Sequence, residues 1–524
     1  MRSIRALLTA MLAGAFLLPV LDAQVTPPPS GTPTFRVTTR LVFLDVTVLD
    51  KRGHPVVKGL TKDDFIITES KKPQRIVSFE APEMHLDTNK PDDNPFGNAP
   101  ATVLVLDLLN SKFDDFAYIR YEVRKYLEAQ PDQLSAPAEL LVLGNTTLEM
   151  PQGYTSSKAD LLYALAHVPA ALPFKLINGS FWPERFVQSI DALQQIALEN
   201  RGIPGRKNIV WVGHGAPAVI TEIMQGKIVD ELNQYVHDTT NMLVDARMSL
   251  FVIYPGLSAR GTQFSFSTVS AGVDIGDDDP FAGDINFGVF VNETGGNLFY
   301  NRNDIAAEIR RSQTLGSQHY TLTYEPPDGP ADGKFRRVRV TLRDPSLRAL
   351  TKAGYFAPSG AAGVHRRQQN LLDIGDVIRS SLPFPALPLR IENLLRHPDT
   401  GRVEFTVALH SPNLVWQQTD DGKSTTNLLL AAASLSADRS VLASKVENVT
   451  ASEPTQDPAQ LAEKTVLIRA RLRVPSQTQS VRVAVEGVDR NSRTGAIEIS
   501  REMLNAAPAA PAPDQLLTRP VTSQ

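Results

Sequence analysis

Between Ala101 and Ser317 the chain repeatedly produces strand-length runs that are apolar at almost every position: TVLVLDLL (102–109), NIVWVGHG (208–215) and SLFVIYPG (249–256). A strand without a polar face must be covered on both sides, and here helix-period segments supply the cover. One such segment sets Phe116, Ile119, Val123, Tyr126 and Leu127 on a single stripe; another does so with Phe186, Ile190, Leu193 and Ala197. Buried strands alternating with amphipathic helices predict an α/β fold, a doubly wound, mostly parallel Rossmann-like sheet over 101–317.

The flanks follow a different rhythm. Residues 35–88 alternate over short stretches and read as an N-terminal β unit, bounded by Pro-rich linkers at 24–34 and 89–100. HYTLTYEPP, KFRRVRVTLRDP and ALTKAGYFAP read as the three strands of a β extension over 318–358. Five further strand patterns predict a β-sandwich over 375–503, and the Ala/Pro-rich tail 504–524 is expected to be disordered. A length of 524 residues exceeds what one core normally covers, in keeping with several domains.

The N-terminus carries Arg2 and Arg5, an apolar core from Ala6 to Leu18 and a small-residue site at Leu21-Asp22-Ala23. Residues 1–23 therefore read as a secretory signal peptide, which places the mature chain in the periplasm or outside the cell. No later segment has the apolar length to span a membrane. With no cysteine in the chain, disulfides, thiol catalysis and thiolate metal sites are excluded. A net charge of −4 gives no general attraction to nucleic acid, and KFRRVRV lacks the interleaved aromatics of a single-strand binder.

In open α/β sheets ligands bind beyond the C-terminal strand ends, where Asp107, Asn145, His214 and Tyr254 all fall. Asp107 follows the first buried run, and Ser111 stands four residues later. Then come a helix, a hairpin (AELLVLGNTTLEMPQGY), Asn178-Gly179-Ser180 before another helix, and the W-V-G-H-G strand end. This order resembles a von Willebrand factor type A domain, more closely the exported proteins with an acidobacterial von Willebrand factor A-related domain. RLVFLDVTVLDKRGHPVVKGLTKDDF, ETGGNLFYNRNDI, HYTLTYEP and KAGYFAP look like that family's other landmarks, so the resemblance runs from about Thr34 to Pro358.

The resemblance implies a metal-ion-dependent adhesion site with the pattern D-x-S-x-S, completed by a threonine and a second aspartate. Carried over, Asp107 takes the first position, Ser111 the fifth, and Ser180 the threonine position. Leu109 stands where a serine is expected and His214 where the aspartate would be. A hard divalent cation wants about six oxygens, so this set is a degenerate site for Mg²⁺ or Mn²⁺, with Asn110 a further amide oxygen. The plainer alternative has Asp107 capping its loop and Ser111 serving as a helix N-cap.

A long loop after SLFVIYPG carries Asp274, Asp277 and Asp278 without the spacing of a calcium loop, and reads as a solvated insertion or a recognition loop. No close histidine pair, nucleophile elbow or phosphate-binding loop occurs. These features favour a non-enzymatic, adhesion-type binding protein whose ligand is a protein or a surface. The alternatives are a structural part of an envelope assembly, or a secreted hydrolase using His214 and Asp107.

Overall fold

A computed structural model describes residues 41–86, 100–169, 174–219, 224, 226–255, 285–326, 332, 334–357, 362–488 and 493–510. The stretch 1–23 expected to be a signal peptide, the linker 24–34, residues 89–99 of the second linker and the loop with Asp274, Asp277 and Asp278 lie outside them. The chain divides into two compact units, 1–147 with 151–191 and 205–360, and 148–150 with 192–204 and 361–524.

In the first unit, β1 (Val42–Leu49), β2 (Phe65–Glu69), β3 (Lys72–Gln74) and β4 (Ile76–Glu80) precede the α/β segment. That segment runs β5 (Ala101–Asp107), α1 (Phe113–Glu128), β6 (Gln133–Leu143), β7 (Leu148–Ser157), α2 (Lys158–His167), α3 (Phe174–Ile177) and α4 (Trp182–Asn200), with 148–150 of β7 and 192–200 of α4 counted in the second unit. It continues with β8 (Lys207–Val212), α5 (Gly226–Asp245), β9 (Met248–Pro255), α6 (Phe287–Thr294), β10 (Asn297–Arg302) and α7 (Ile305–Ser317). The unit closes with β11 (Tyr320–Tyr324), β12 (Phe335–Leu342), β13 (Arg348–Leu350) and β14 (Gly354–Phe356).

Six strands form the central sheet in the order β10-β9-β8-β5-β6-β7, and β10-β9, β9-β8, β8-β5 and β5-β6 all pair in parallel. Leu104 and Leu106 of β5 share a core with Val210, Phe251, Leu140 and the apolar stripes of α1, α2 and α7. On the opposite face Val103, Val105 and Trp211 are equally buried, and Trp211 packs on Phe287 of α6. The sheet is thus flanked by helices on both faces, as its apolar runs require. Counted from β5, the order is that of a doubly wound sheet, and the direction of progression reverses between β5 and β8. Side chains at that switch point border the crevice where such sheets hold ligands.

The N-terminal β unit and the β extension, read separately from sequence, pair with each other. β1 runs antiparallel to β11 and β13, and β2 to β12, giving the sheets β13-β1-β11-β4 and β14-β12-β2-β3 around one core. The extension also has four strands rather than three.

In the second unit, 362–379 is the helix α8 (Ala362–Arg379), inside a stretch without a clear period in sequence. β15 (Leu389–His397), β16 (Arg402–His410) and β20 (Thr465–Arg473) form one sheet. β17 (Gln417–Gln418), β18 (Ser424–Leu435), β19 (Val441–Glu453), β21 (Ser480–Gly487) and β22 (Thr494–Ser500) form the other. Their inner faces share a core of Phe405, Val407, Leu430, Ile468 and Val483. The expected disordered tail starts too early: residues 501–506 are helical and Ala509 bridges to Arg396.

Candidate functional site

Asp107 ends β5 at the switch point, fully buried, and its carboxylate is enclosed by N–H donors. Oδ1 accepts from the Asn110 backbone N–H at 2.9 Å and from Asn110 Nδ2 at 3.1 Å. Oδ2 accepts from Gly215 N at 2.9 Å, Trp211 Nε1 at 3.0 Å and Asn110 Nδ2 at 3.2 Å. A carboxylate offers about four lone-pair directions, so the protein itself occupies them. Burial pushes the Asp107 carboxyl up from its ordinary range, and these donors oppose that rise.

The glycines of W-V-G-H-G make the approach possible. Gly213, at φ +147°, comes so near that a Cβ there would sit 2.4 Å from the Asp107 Cβ. Gly215, at φ +68°, turns its N–H toward the carboxylate with the Phe287 ring against its Cα. Left-handed backbone and zero side-chain volume are needed together, which only glycine offers.

Asn110 links this carboxylate to a cation. Its Nδ2 also donates to Ser189 Oγ at 3.0 Å, while its Oδ1 accepts from Arg185 Nη2 at 2.9 Å and Nε at 3.1 Å. Ser189 Oγ in turn donates to Arg185 O at 2.8 Å. Arg185 is 7% exposed; its burial weakens its hold on the proton, and the Asp107 charge offsets part of that loss. Arg185 therefore places a permanent positive charge behind Asp107, in the first turn of α4, where the helix dipole disfavours a cation.

The remaining residues expected at the site are dispersed. Ser111 is fully buried and its Oγ has no hydrogen-bond partner; the N-cap of α1 is Lys112, so Ser111 does not cap the helix. Leu109 is buried, and its N–H joins that of Leu108 on Leu143 O. Ser180 is exposed and commits its hydroxyl to Asn178 Oδ1 at 2.7 Å. Asn145 is half-buried in the β6–β7 turn, which Gln188 of α4 tethers through Gly144 O. His214, half-buried, lies 3.8 Å from Asp115 and tilts against Tyr254, which stacks on Tyr300 at 5.0 Å.

As arranged, these residues do not fit a divalent cation. The Asp107 carboxylate is spent on N–H donors, a guanidinium already supplies positive charge, and the third position is an aliphatic side chain. Among the described residues no group of three or more His, Asp or Glu side chains converges as metal ligands. The plainer reading of Asp107 as a loop cap agrees with the geometry, while that of Ser111 as an N-cap is corrected. Sequence reasoning missed Arg185 and the indole donor of Trp211; the cation in a helix's first turn was the available signal.

Comparison with known proteins finds no matching family model and no matching curated protein. Among solved structures, the chain is similar to one titled "Crystal Structure of the SpRpn10 VWA domain". Identity is 14%, over 30% of this chain and 89% of that chain, with a TM-score of 0.17. A likeness at that score supports nothing about the site.

Proposed function

We propose that this chain is an exported, non-enzymatic binding protein with a von Willebrand factor type A-like domain, whose cation position has been taken over by its own Arg185. One observation carries the reading: every acceptor direction of Asp107 is met from within, with Arg185 anchored behind it on Asn110. A carboxylate closed in this way is neither a metal ligand nor a free general base, and His214 lies 3.8 Å from a different acid, Asp115. The crevice then serves as a rigid floor for recognition by the strand-end residues around it, Asn145 and His214 among them. The ligand class is a protein or surface component outside the cytoplasm, met without a bridging metal. Among the described residues no helix is long and apolar enough to cross a membrane.

Photo-crosslinking residues placed at positions 145, 214 and 128 test this in the producing cell. Glu128 is exposed at the far end of α1 and serves as the control. The reading expects one protein partner captured from 145 and 214, unchanged by chelator, and none from 128. Equal capture from all three positions, or capture that chelator abolishes, would refute it.

A further inference from the structure

We propose that the outer face of the β15–β16–β20 sheet docks the second unit on an anionic lipid surface. This goes beyond the reading of the Asp107 site and does not depend on it.

The strand register defines the face. Val403, Phe405, Val407 and Leu409 of β16 turn inward with Leu472, Ala470, Ile468 and Val466 of β20. The alternate residues turn outward and form cross-strand rows: His397–Arg402–Arg473, Leu395–Glu404–Arg471, Glu392–Thr406–Arg469 and Arg390–Ala408–Leu467. Five arginines and two glutamates give this face a charge of +3 in a chain of net −4. The arginine side chains reach solvent, Arg469 being 75% exposed, Arg390 74% and Arg471 61%.

The internal pairing on this face is incomplete. Glu404 takes Arg471 at 2.5 Å, Arg469 at 3.6 Å and His397 at 3.5 Å, while Glu392 takes Arg390 at 3.7 Å. Arg402 and Arg473 stand directly opposite each other, and neither pairs with an acid among the described residues. Like charges in register across a strand pair destabilise a sheet, so this pair costs stability unless an anion lies between them. Arginine is also the side chain whose planar fork matches a phosphate with two parallel hydrogen bonds.

Two features select a lipid surface over a soluble acidic polymer. The charges form a two-dimensional array, set by strand spacings of about 4.8 Å one way and two-residue steps of about 7 Å the other. Phosphates in a leaflet spread in two dimensions and can diffuse to meet such an array, whereas a linear polymer needs a track. Leu467, at 60% exposure, then stands in the row next to Arg469. A bare aliphatic side chain beside arginines is the pairing of apolar insertion and headgroup attraction used by interfacial proteins.

Co-sedimentation of the full chain with vesicles of phosphatidylglycerol and phosphatidylethanolamine, against phosphatidylcholine alone, tests the proposal. All variants share one N-terminus, so any leader contribution cancels between them. The wild type is expected to prefer anionic vesicles and to lose that preference in high salt. Each arginine removed should lower partitioning about fivefold, so Arg402→Gln with Arg473→Gln should lower it roughly 25-fold. Leu467→Ser should weaken it severalfold, and Arg501→Gln, outside this face, should leave it unchanged. Thermal melts check the fold, and Arg402→Gln should be no less stable than wild type. Equal binding to both vesicle types, or equal loss in Arg501→Gln, would overturn the proposal. So would polyphosphate binding through these arginines without vesicle binding, which would mark the face as a site for an acidic polymer.

Discussion

Asp107, buried, and Asp45, with its side chain 10% exposed, are carboxylates of the first unit satisfied in opposite ways. Asp107 meets neutral N–H donors, with Arg185 one residue removed behind Asn110. Asp45, in β1, meets Arg247 directly at 2.5 and 3.2 Å, accepts from Thr321 Oγ1 at 2.8 Å, and lies 3.7 Å from His319, which stacks on His85. Burial raises both carboxyls; at Asp45 the Arg247 guanidinium outweighs it and holds the group well below the usual range, while at Asp107 the rise prevails. At Asp107 the hydrogen bonds only partly oppose desolvation, while at Asp45 a contacting full charge outweighs it. The Asp45 cluster behaves as a structural ion pair. The Asp107 site is a shaped, pre-satisfied floor, which suits recognition without a metal.

Breaking the charged contact should have the largest effect. Arg247→Met leaves Asp45 buried without its strongest partner and should cost about 3–5 kcal/mol in chemical denaturation of the first unit. A loss below that of any single Asp107 donor would reverse the comparison.

Acid should separate the two sites by sign. His319 is pushed by burial to about 3, against the pull of Asp45, and Asp45 is itself depressed. The unfolded chain therefore takes up protons first, on His319 below its ordinary 6.5 and on Asp45 below 3.8, so their stabilisation is lost as pH falls. Asp107, being raised, binds its proton more readily folded than unfolded; its contribution is present in acid and lost as pH rises through its folded value. Denaturation of the first unit between pH 7 and 4 should show stability falling, with the slope flattened by His319→Phe and steepened by Asp107→Asn. Identical slopes in both variants would remove the distinction.

Smaller effects sharpen the picture around Asp107. Trp211→Phe keeps the ring packing on Phe287 but removes one donor, and should cost about 1–3 kcal/mol in the same denaturation assay. Ser111→Ala should be neutral or slightly stabilising, because its buried hydroxyl has no partner to lose. A clear destabilisation by Ser111→Ala would mean that the hydroxyl holds something, as a metal site requires.

The layered sheet was legible because apolar runs such as TVLVLDLL admit no exposed face, and Asp107 was legible as the acid that ends one. The partnership of β1 with β11 was not, since register across 276 residues, as between Asp45 and Thr321, leaves no local signal. β19 escaped notice because its half-buried residues lack clean alternation. Arg185 was hidden for a related reason: the α4 pattern reports the apolar stripe facing the core, whereas this side chain is buried through one amide 75 residues earlier. Its place in the first turn was a local misfit, and such misfits cluster where function departs from folding.

Calorimetric titration of Mg²⁺ and Mn²⁺ into the chain, with Asp107→Ala alongside, tests the closed site most directly. A site already filled by Asn110, Trp211, Gly215 and Arg185 should give no saturable heat with either ion, and the two proteins should be indistinguishable. One-site binding that disappears in Asp107→Ala would contradict it and restore a metal-dependent adhesion site.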